Sequence, residues 1–249
     1  MWRDDNEIDT VLERPCRNFG IIKRFYPHYY CGYGKTGNIC YYEECGRIDV
    51  PSLLENGVDV KDLVDYYVFM TEFCFSRLLH SDGGKCITIF DVKGVAVTDL
   101  QGIVLAFIKA SSKIMQDHYP EKSQCILVIN APIWFTAIWT VVRALINERT
   151  QEKVRILSPG DSYKGLSEFI APESIPVKYG GLLEFKKPGE EDDCRFWSEE
   201  EVKLRKYVRG RRWAKEKEVE MMVDDGGLEE AERDETRRGG RLNGEQLGI

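Results

Sequence analysis

The chain has 249 residues, 43% of them hydrophobic, with 35 basic against 42 acidic residues and a formal net charge of −7. That length supports one core of full size, and the acidic balance excludes a global basic field of the kind that attracts nucleic acid. Residues 186–249 hold 15 of the basic and 18 of the acidic residues, so 33 of those 64 positions are charged. A folded domain over 1–185 and a charged, low-complexity tail over 186–249, partly helical or disordered, is the simplest partition.

The chain opens on Trp2-Arg3-Asp4-Asp5 with no apolar run. No secretory signal is read there, and the eight cysteines are expected as reduced thiols, the cytoplasmic pattern. Residues 7–30 are mixed, with a turn at Tyr26-Pro27, and residues 38–44 (NICYYEE) predict a strand. Over 60–79 the apolar Leu63, Val64, Tyr67, Val68, Met70, Phe73, Cys74 and Leu78 recur at the period of an amphipathic helix. Residues 86–91 (CITIFD) predict a strand closed by Lys93-Gly94. Thr98 or Asp99 can then cap a helix to about His118, with Ile103, Ala106, Phe107, Ala110 and Ile114 on its apolar face. A strand over 125–130, a helix over 133–146, a short strand over 154–157, a short helix over 163–170 and a closing segment over 176–185 follow. The strands CITIF and CILVI are apolar on both faces, as covered parallel strands are. Strands alternating with long helices predict an α/β fold, a mostly parallel sheet with crossover helices.

Residues 125–142 carry no charge over 18 positions, the length of a membrane span. Asn130-Ala131-Pro132 punctuates that window, which therefore reads as strand, turn and helix. Gly32, Gly34 and Gly37 match GxGxxG, but a strand follows them where a phosphate-binding helix is needed, so a hairpin between Tyr30 and Tyr41 is expected. His28, Cys31, Cys40 and Cys45 include no CxxC pair and need not converge, so no metal site is expected. There is no GxSxG elbow, and Glu43 and Glu44 point to opposite faces of a strand, so no catalytic residue is nominated. Apolar excess is the stronger feature. The 133–146 helix is hydrophobic nearly all round, so it must be buried on every side or meet lipid part of the time. Tyr30, Tyr41, Tyr42, Tyr67 and Thr88 fall on elements able to line one cavity, and plain core packing would account for them as well.

Six stretches occur in order: Phe25-Tyr26-Pro27 with Tyr29-Tyr30, then Tyr41-Tyr42-Glu43-Glu44-Cys45-Gly46, then residues 87–94, 119–122, 129–132 and 175–181. Together they resemble the CRAL-TRIO lipid-binding family, and within it the fungal-type phosphatidylinositol/phosphatidylcholine transfer proteins, over about residues 1–185. The resemblance implies a sheet floor under a deep apolar cavity, covered by helices and closed by a mobile gate helix. Here the gate would be residues 134–146, with Trp134, Phe135, Ile138, Trp139 and Val142. It implies a phospholipid ligand, phosphatidylinositol and then phosphatidylcholine, exchanged between membranes with no covalent step and no cofactor. Each buried methylene is worth about 0.8 kcal/mol, so acyl chains must pass from bilayer to cavity without crossing water. A cytoplasmic protein, peripheral at membranes, with the membrane surface as a transient partner, follows from that.

By the same resemblance Glu121, Lys122, Thr150 and Lys153 would hold the phosphoinositol headgroup. Lys122 stands where relatives often have Arg, losing the planar two-point grip on phosphate. A surface ion pair between Glu121 and Lys153 is the alternative. Tyr30, Tyr41, Tyr67 and Thr88 match an interior polar wall, with Cys86 and Met115 where serines are usual. Those two suit a more apolar ligand, so a carrier of a sterol, an isoprenoid or another hydrophobic molecule is the alternative, and a scaffold that keeps the fold without a ligand is a third. Gly180 and Gly181 are expected as hinge or close-packing positions near the gate. The family's preceding helical segment would lie ahead of Met1. In the tail, residues 203–217 carry eight Lys and Arg with Tyr207 and Trp213. They read as a solvated, partly helical extension, or as a cluster that docks on anionic membranes.

Overall fold

The computed structural model describes residues 2–79, 83–184 and 198–211. Five strands form one sheet in chain order: β1 (His28–Tyr33), β2 (Ile39–Glu44), β3 (Cys86–Asp91), β4 (Ser123–Ile129) and β5 (Val154–Ile156). β1 and β2 make an antiparallel hairpin, and the remaining pairings are parallel. The glycine motif serves that hairpin. Gly32 and Gly37 take φ of 67° and 78°, a region that side chains resist. A Cβ on Gly34 would meet Ile87 Cδ1 at 2.4 Å.

The helices are α1 (Trp2–Asp5), α2 (Phe19–Phe25), α3 (Val50–Glu55), α4 (Val60–Phe73), α5 (Gly102–His118), α6 (Phe135–Arg143), α7 (Glu148–Gln151), α8 (Ser162–Phe169) and α9 (Glu199–Arg209). α4 starts in a capping box between Asp59 and Asp62 and ends in a π-turn, Cys74–Leu78. Parallel strands joined in chain order by right-handed crossovers send α4, α5 and α6 to one face, here the near face.

Alternation along the strands sorts the core. On the far face Tyr29, Cys31, Cys40, Tyr42, Ile87, Ile89, Cys125, Leu127 and Ile129 pack with Leu166 of α8 and with Ile170, Ile175 and Tyr179. The near face carries two separate clusters. One joins Tyr30 and Ile39 to α2, α4, the π-turn and α9. The other joins Val128 and Ala131 to Phe135 and Ile138 of α6.

Several boundaries differ from expectation. α5 begins at Gly102, beyond Thr98 and Asp99, which lie in a 3-10 turn where the Asp99 carboxylate accepts the Ala96 N–H at 2.8 Å. α6 is shorter than residues 133–146, because the chain leaves Asn130 with a positive φ and turns through Ile133, 97% exposed, before the helix starts. It is not sealed all round: Phe135 and Ile138 are buried, whereas Trp134 and Val141 are exposed. The 125–142 window is strand, turn and helix, and no helix among the described residues is long and apolar enough to cross a membrane.

The tail departs most. α9 is docked, not solvated, with Leu204 and Val208 buried in the near-face cluster. It covers the outer edge of β1, whose backbone would otherwise lack partners. Glu201 Oε1 accepts the Tyr30 N–H at 3.0 Å, Glu200 Oε2 accepts the Gly32 N–H at 3.3 Å, and Ser198 Oγ donates to the Tyr30 carbonyl. Glu201 also pairs with the buried Lys23 at 2.8 Å. Arg205 of the basic cluster is buried, Lys203 and Lys206 are exposed, and residues 212–217 lie outside the described residues.

Candidate functional site

The residues expected on the polar wall come together on the near face. Register places Tyr30 beside Tyr41 and Tyr41 beside Thr88, and β3's alternation puts Cys86 on the same side. Tyr30 is buried, its hydroxyl donating to the Met70 carbonyl of α4 at 3.0 Å. Tyr67 of α4 meets Phe107 of α5 edge to face at 5.9 Å. Thr88 Oγ1 lies 3.9 Å from Cys86 Sγ.

Tyr41, Tyr67, Cys86 and Thr88 are only half-buried, as are Phe90 and Ile126 further along the same face. Burial pushes the Tyr41 phenol well above its ordinary range, and burial raises Tyr67 too. α5 tells the same story from the opposite side: none of its 17 residues is buried, although Ile103 and Phe107 touch the near-face cluster. Tyr41 and Tyr67 are thus drawn away from water and yet only half-covered.

Sequence reasoning passed over two polar groups at this wall. Glu43, on the same face as Tyr41, is buried and receives hydrogen bonds from the Tyr26 and Tyr41 hydroxyls, the latter at 3.4 Å. Burial pushes its carboxyl up to about 7. Its cross-strand partner His28 hydrogen-bonds through both ring nitrogens, to the Tyr26 carbonyl and to the Tyr66 hydroxyl, each at 2.7 Å. Burial, helped by the Lys23 charge, holds this imidazole well below its usual range. The Glu43 signal was present in the alternation of ICYYEE; the His28 environment, built by α4, had none. Glu44 points to the far side, where it pairs with Lys178 and with Arg47 at 3.1 Å. Cys31 and Cys40 lie on the far face and His28 on the near one, so the four imagined metal ligands do not converge.

The four headgroup candidates share one end of the sheet. Glu121 and Lys122 lead into β4, while Thr150 and Lys153 lead into β5, whose start is paired with β4. Lys153 Nζ donates to the Ser123 carbonyl at 3.0 Å. Lys122 Nζ sits 5.0 Å over the Phe75 ring. Glu121 pairs with Arg149, so the ion pair expected with Lys153 forms with a different partner. Arg149 was not anticipated. Open parallel sheets usually take ligands at the carboxyl ends of their strands; these groups cluster at the amino ends.

α6 spans between the two ends and is fastened at its far end. Gln116 of α5 accepts the Asn147 N–H at 2.5 Å and donates to the Leu145 carbonyl at 3.3 Å. Phe135, Ile138 and, half-buried, Trp139 and Val142 face the second near-face cluster. Gly180 and Gly181 are close-packing positions, set on the far face and not beside α6. Gly180, at φ 90°, lies under the Tyr163 ring of α8, and a Cβ on Gly181 would meet the Ile175 carbonyl oxygen at 2.0 Å.

Residues 23–181 match the family described as CRAL/TRIO domain. The Sec14 cytosolic factor of Schizosaccharomyces pombe is 30% identical over 212 residues, 80% of this chain and 72% of that protein. The SEC14 cytosolic factor of Eremothecium gossypii is 31% identical over 188 residues, 72% of this chain and 60% of its own length. The phosphatidylinositol/phosphatidylcholine transfer protein SFH9 of Arabidopsis thaliana is 29% identical over 224 residues, 84% of this chain and 37% of that protein. The chain therefore spans less than two thirds of the second and third of these relatives. The crystal structure of Sfh5 shares the fold, with a TM-score of 0.60 at 18% identity over 84% of this chain and 72% of that one. The match over residues 23–181, with 30% identity to a relative covered over 72% of its length, places the chain in the CRAL/TRIO domain family.

Proposed function

We propose that this chain binds one phospholipid, phosphatidylinositol by preference and phosphatidylcholine second, in a hollow between the near face of the sheet and α4, α5 and α6. It then carries or presents that lipid between membranes. The observation that carries this reading is the set of near-face side chains, Tyr41, Tyr67, Thr88 and Ile126, that stay half uncovered under the helices, although burial raises the Tyr41 and Tyr67 phenols. A solid core would cover them. Acyl chains supply the missing apolar surface at about 0.8 kcal/mol per methylene, and the tyrosine hydroxyls with Thr88 supply the few fixed polar groups such a site needs.

The exchange needs no bond to be made or broken. α6 is the gate: Ile133, Trp134 and Val141 present exposed apolar surface to a bilayer, while Phe135 and Ile138 hold the closed position. The protein works in the cytoplasm, peripheral at membranes, and needs no cofactor and no metal. Glu121, Lys122, Thr150 and Lys153 receive the inositol phosphate at the amino ends of β4 and β5, with Lys153 anchored on Ser123. Lys153→Ala is expected to weaken transfer of phosphatidylinositol between vesicles and to spare phosphatidylcholine transfer. Equal loss of both would remove the headgroup assignment.

One observation favours a second reading. Cys86 and Met115, both half-buried, replace two hydroxyls with sulfur, which suits a non-phospholipid hydrophobe such as a sterol or an isoprenoid. Competition of an unlabelled sterol with bound fluorescent phosphatidylcholine separates the two, because only this second ligand class displaces it at stoichiometric amounts.

A further inference from the structure

The carboxyl end of α6 is closed by two glutamines from neighbouring helices. The last carbonyls of any helix have no partner within it, and a glycine in left-handed backbone commonly ends the helix and meets that need. After Arg143 the chain runs Ala144-Leu145-Ile146-Asn147 instead. Gln116, half-buried in the last turn of α5, donates through Nε2 to the Leu145 carbonyl at 3.3 Å and accepts the Asn147 N–H through Oε1 at 2.5 Å. Gln151, half-buried at the end of α7, donates to the Ile146 carbonyl at 2.9 Å and to the Arg143 carbonyl at 3.2 Å. Its Oε1 accepts from Arg143 Nε at 2.8 Å. Packing does little to hold this end, since Arg143, Ala144 and Asn147 are exposed. The glutamine hydrogen bonds hold it.

α7 is four residues long, and Gln151 sits in it between Thr150 and Lys153, both headgroup candidates. Asn147 Oδ1 caps this turn by accepting the Thr150 N–H at 2.8 Å. Arg149 ties it to Glu121, and Lys153 Nζ, just beyond it, is fixed on the Ser123 carbonyl. We infer that Gln116 and Gln151 are positioning residues of the gate, a two-point latch on the end of α6, and that a phosphoinositol headgroup held by Thr150 and Lys153 tightens the Gln151 arm. A ligand shifts a conformational equilibrium only through contacts that differ between its states. Here the headgroup orders α7, and α7 holds the gate closed. The Gln116 arm comes from α5 and is independent of the headgroup. The latch needs only the protein's own geometry, whereas its link to the headgroup rests on the lipid-carrier reading. Where gate opening sets the pace of release, that link gives phosphatidylinositol a longer stay than phosphatidylcholine.

Hydrogen exchange of the full chain tests this in the parent, in Gln116→Ala and in Gln151→Ala, each lipid-free and after loading with phosphatidylinositol or phosphatidylcholine. Without lipid, the amides at the end of α6 should exchange roughly 5- to 30-fold faster in each variant, the effect of losing one or two ordinary hydrogen bonds. Ile87 and Ile89 of β3 should keep the parent's protection. Unchanged exchange in α6, or an equal rise in β3, overturns the latch. In the parent, phosphatidylinositol should slow α6 exchange several-fold more than phosphatidylcholine does; Gln151→Ala should erase that difference and Gln116→Ala should keep it. Equal slowing by the two lipids in the parent, or a difference that survives Gln151→Ala, overturns the link to the headgroup. Lipid per chain is measured on the same samples by mass spectrometry of their organic extracts. A chain that takes up neither lipid loses that link together with the carrier reading, and the lipid-free comparison still decides the latch.

Discussion

Alternate residues of the same strands meet different surroundings on the two faces of the sheet. Ile87, Ile89 and Leu127 on the far face are 0% exposed, whereas Thr88 and Ile126 between and beside them are half-buried. A parallel sheet covered by helices ordinarily seals both faces. Here the far face is packed down to the backbone, with Tyr29, Tyr42 and Tyr179 stacked at 5.2 and 5.6 Å. The near face holds two separate clusters, with Tyr30, Tyr41 and Cys86 on the first and Ile126 against the second. An apolar strand can therefore be fully covered on one side and half-covered on the other, and hydrophobicity does not tell which.

Truncation of adjacent residues is the strongest way to break that contrast. Leu127→Ala should cost about 2–5 kcal/mol, because it opens a cavity in a filled layer. Ile126→Ala should cost about 1–2 kcal/mol, the transfer contribution without a new cavity. Urea unfolding of lipid-free protein measures both, and equal losses would make the near face as solid as the far one.

Glu43 offers an effect of up to about 3 kcal/mol, with a definite sign. Its carboxyl moves from 4.5 up to about 7 on folding. Below the lower value it is protonated whether the chain is folded or not, and the stabilisation is complete. As pH rises towards the upper value the unfolded chain gives up its proton while the folded one keeps it, so stability falls. Glu43→Gln should flatten the stability profile between about pH 5 and pH 7 relative to the parent. A profile of unchanged slope would mean that this carboxyl is already hydrated.

Gly181→Ala is expected to cost about 1–3 kcal/mol, since the added methyl overlaps the Ile175 backbone, which cannot move aside as a side chain could. A thermal shift within error would show slack on the far face and weaken the contrast from the other direction.

The sheet was legible in the sequence because its strands are short apolar runs bounded by turn residues, and CITIFD matched β3 residue for residue. The hairpin was legible through its glycines. α2 and α3 were not, being only 7 and 6 residues long, too short to show a period. α9 was misread because its charged composition hid two facts: Leu204 and Val208 share one helical face, and Glu201 is charged for the benefit of a lysine 178 residues earlier. At the site, the tyrosines and Thr88 were reachable through family resemblance, which names positions. The Glu121–Arg149 pair and the Gln116 tether of α6 depend on how α5 and α7 pack, and no local pattern encodes that.

The interior itself can be assayed most directly by native mass spectrometry of protein purified from lipid-containing cells, followed by mass spectrometry of its organic extract. One phospholipid per chain, exchangeable for added phosphatidylinositol, is the expected result. Protein that arrives empty and takes up neither phosphatidylinositol nor phosphatidylcholine from vesicles would contradict it and leave the near face without an occupant.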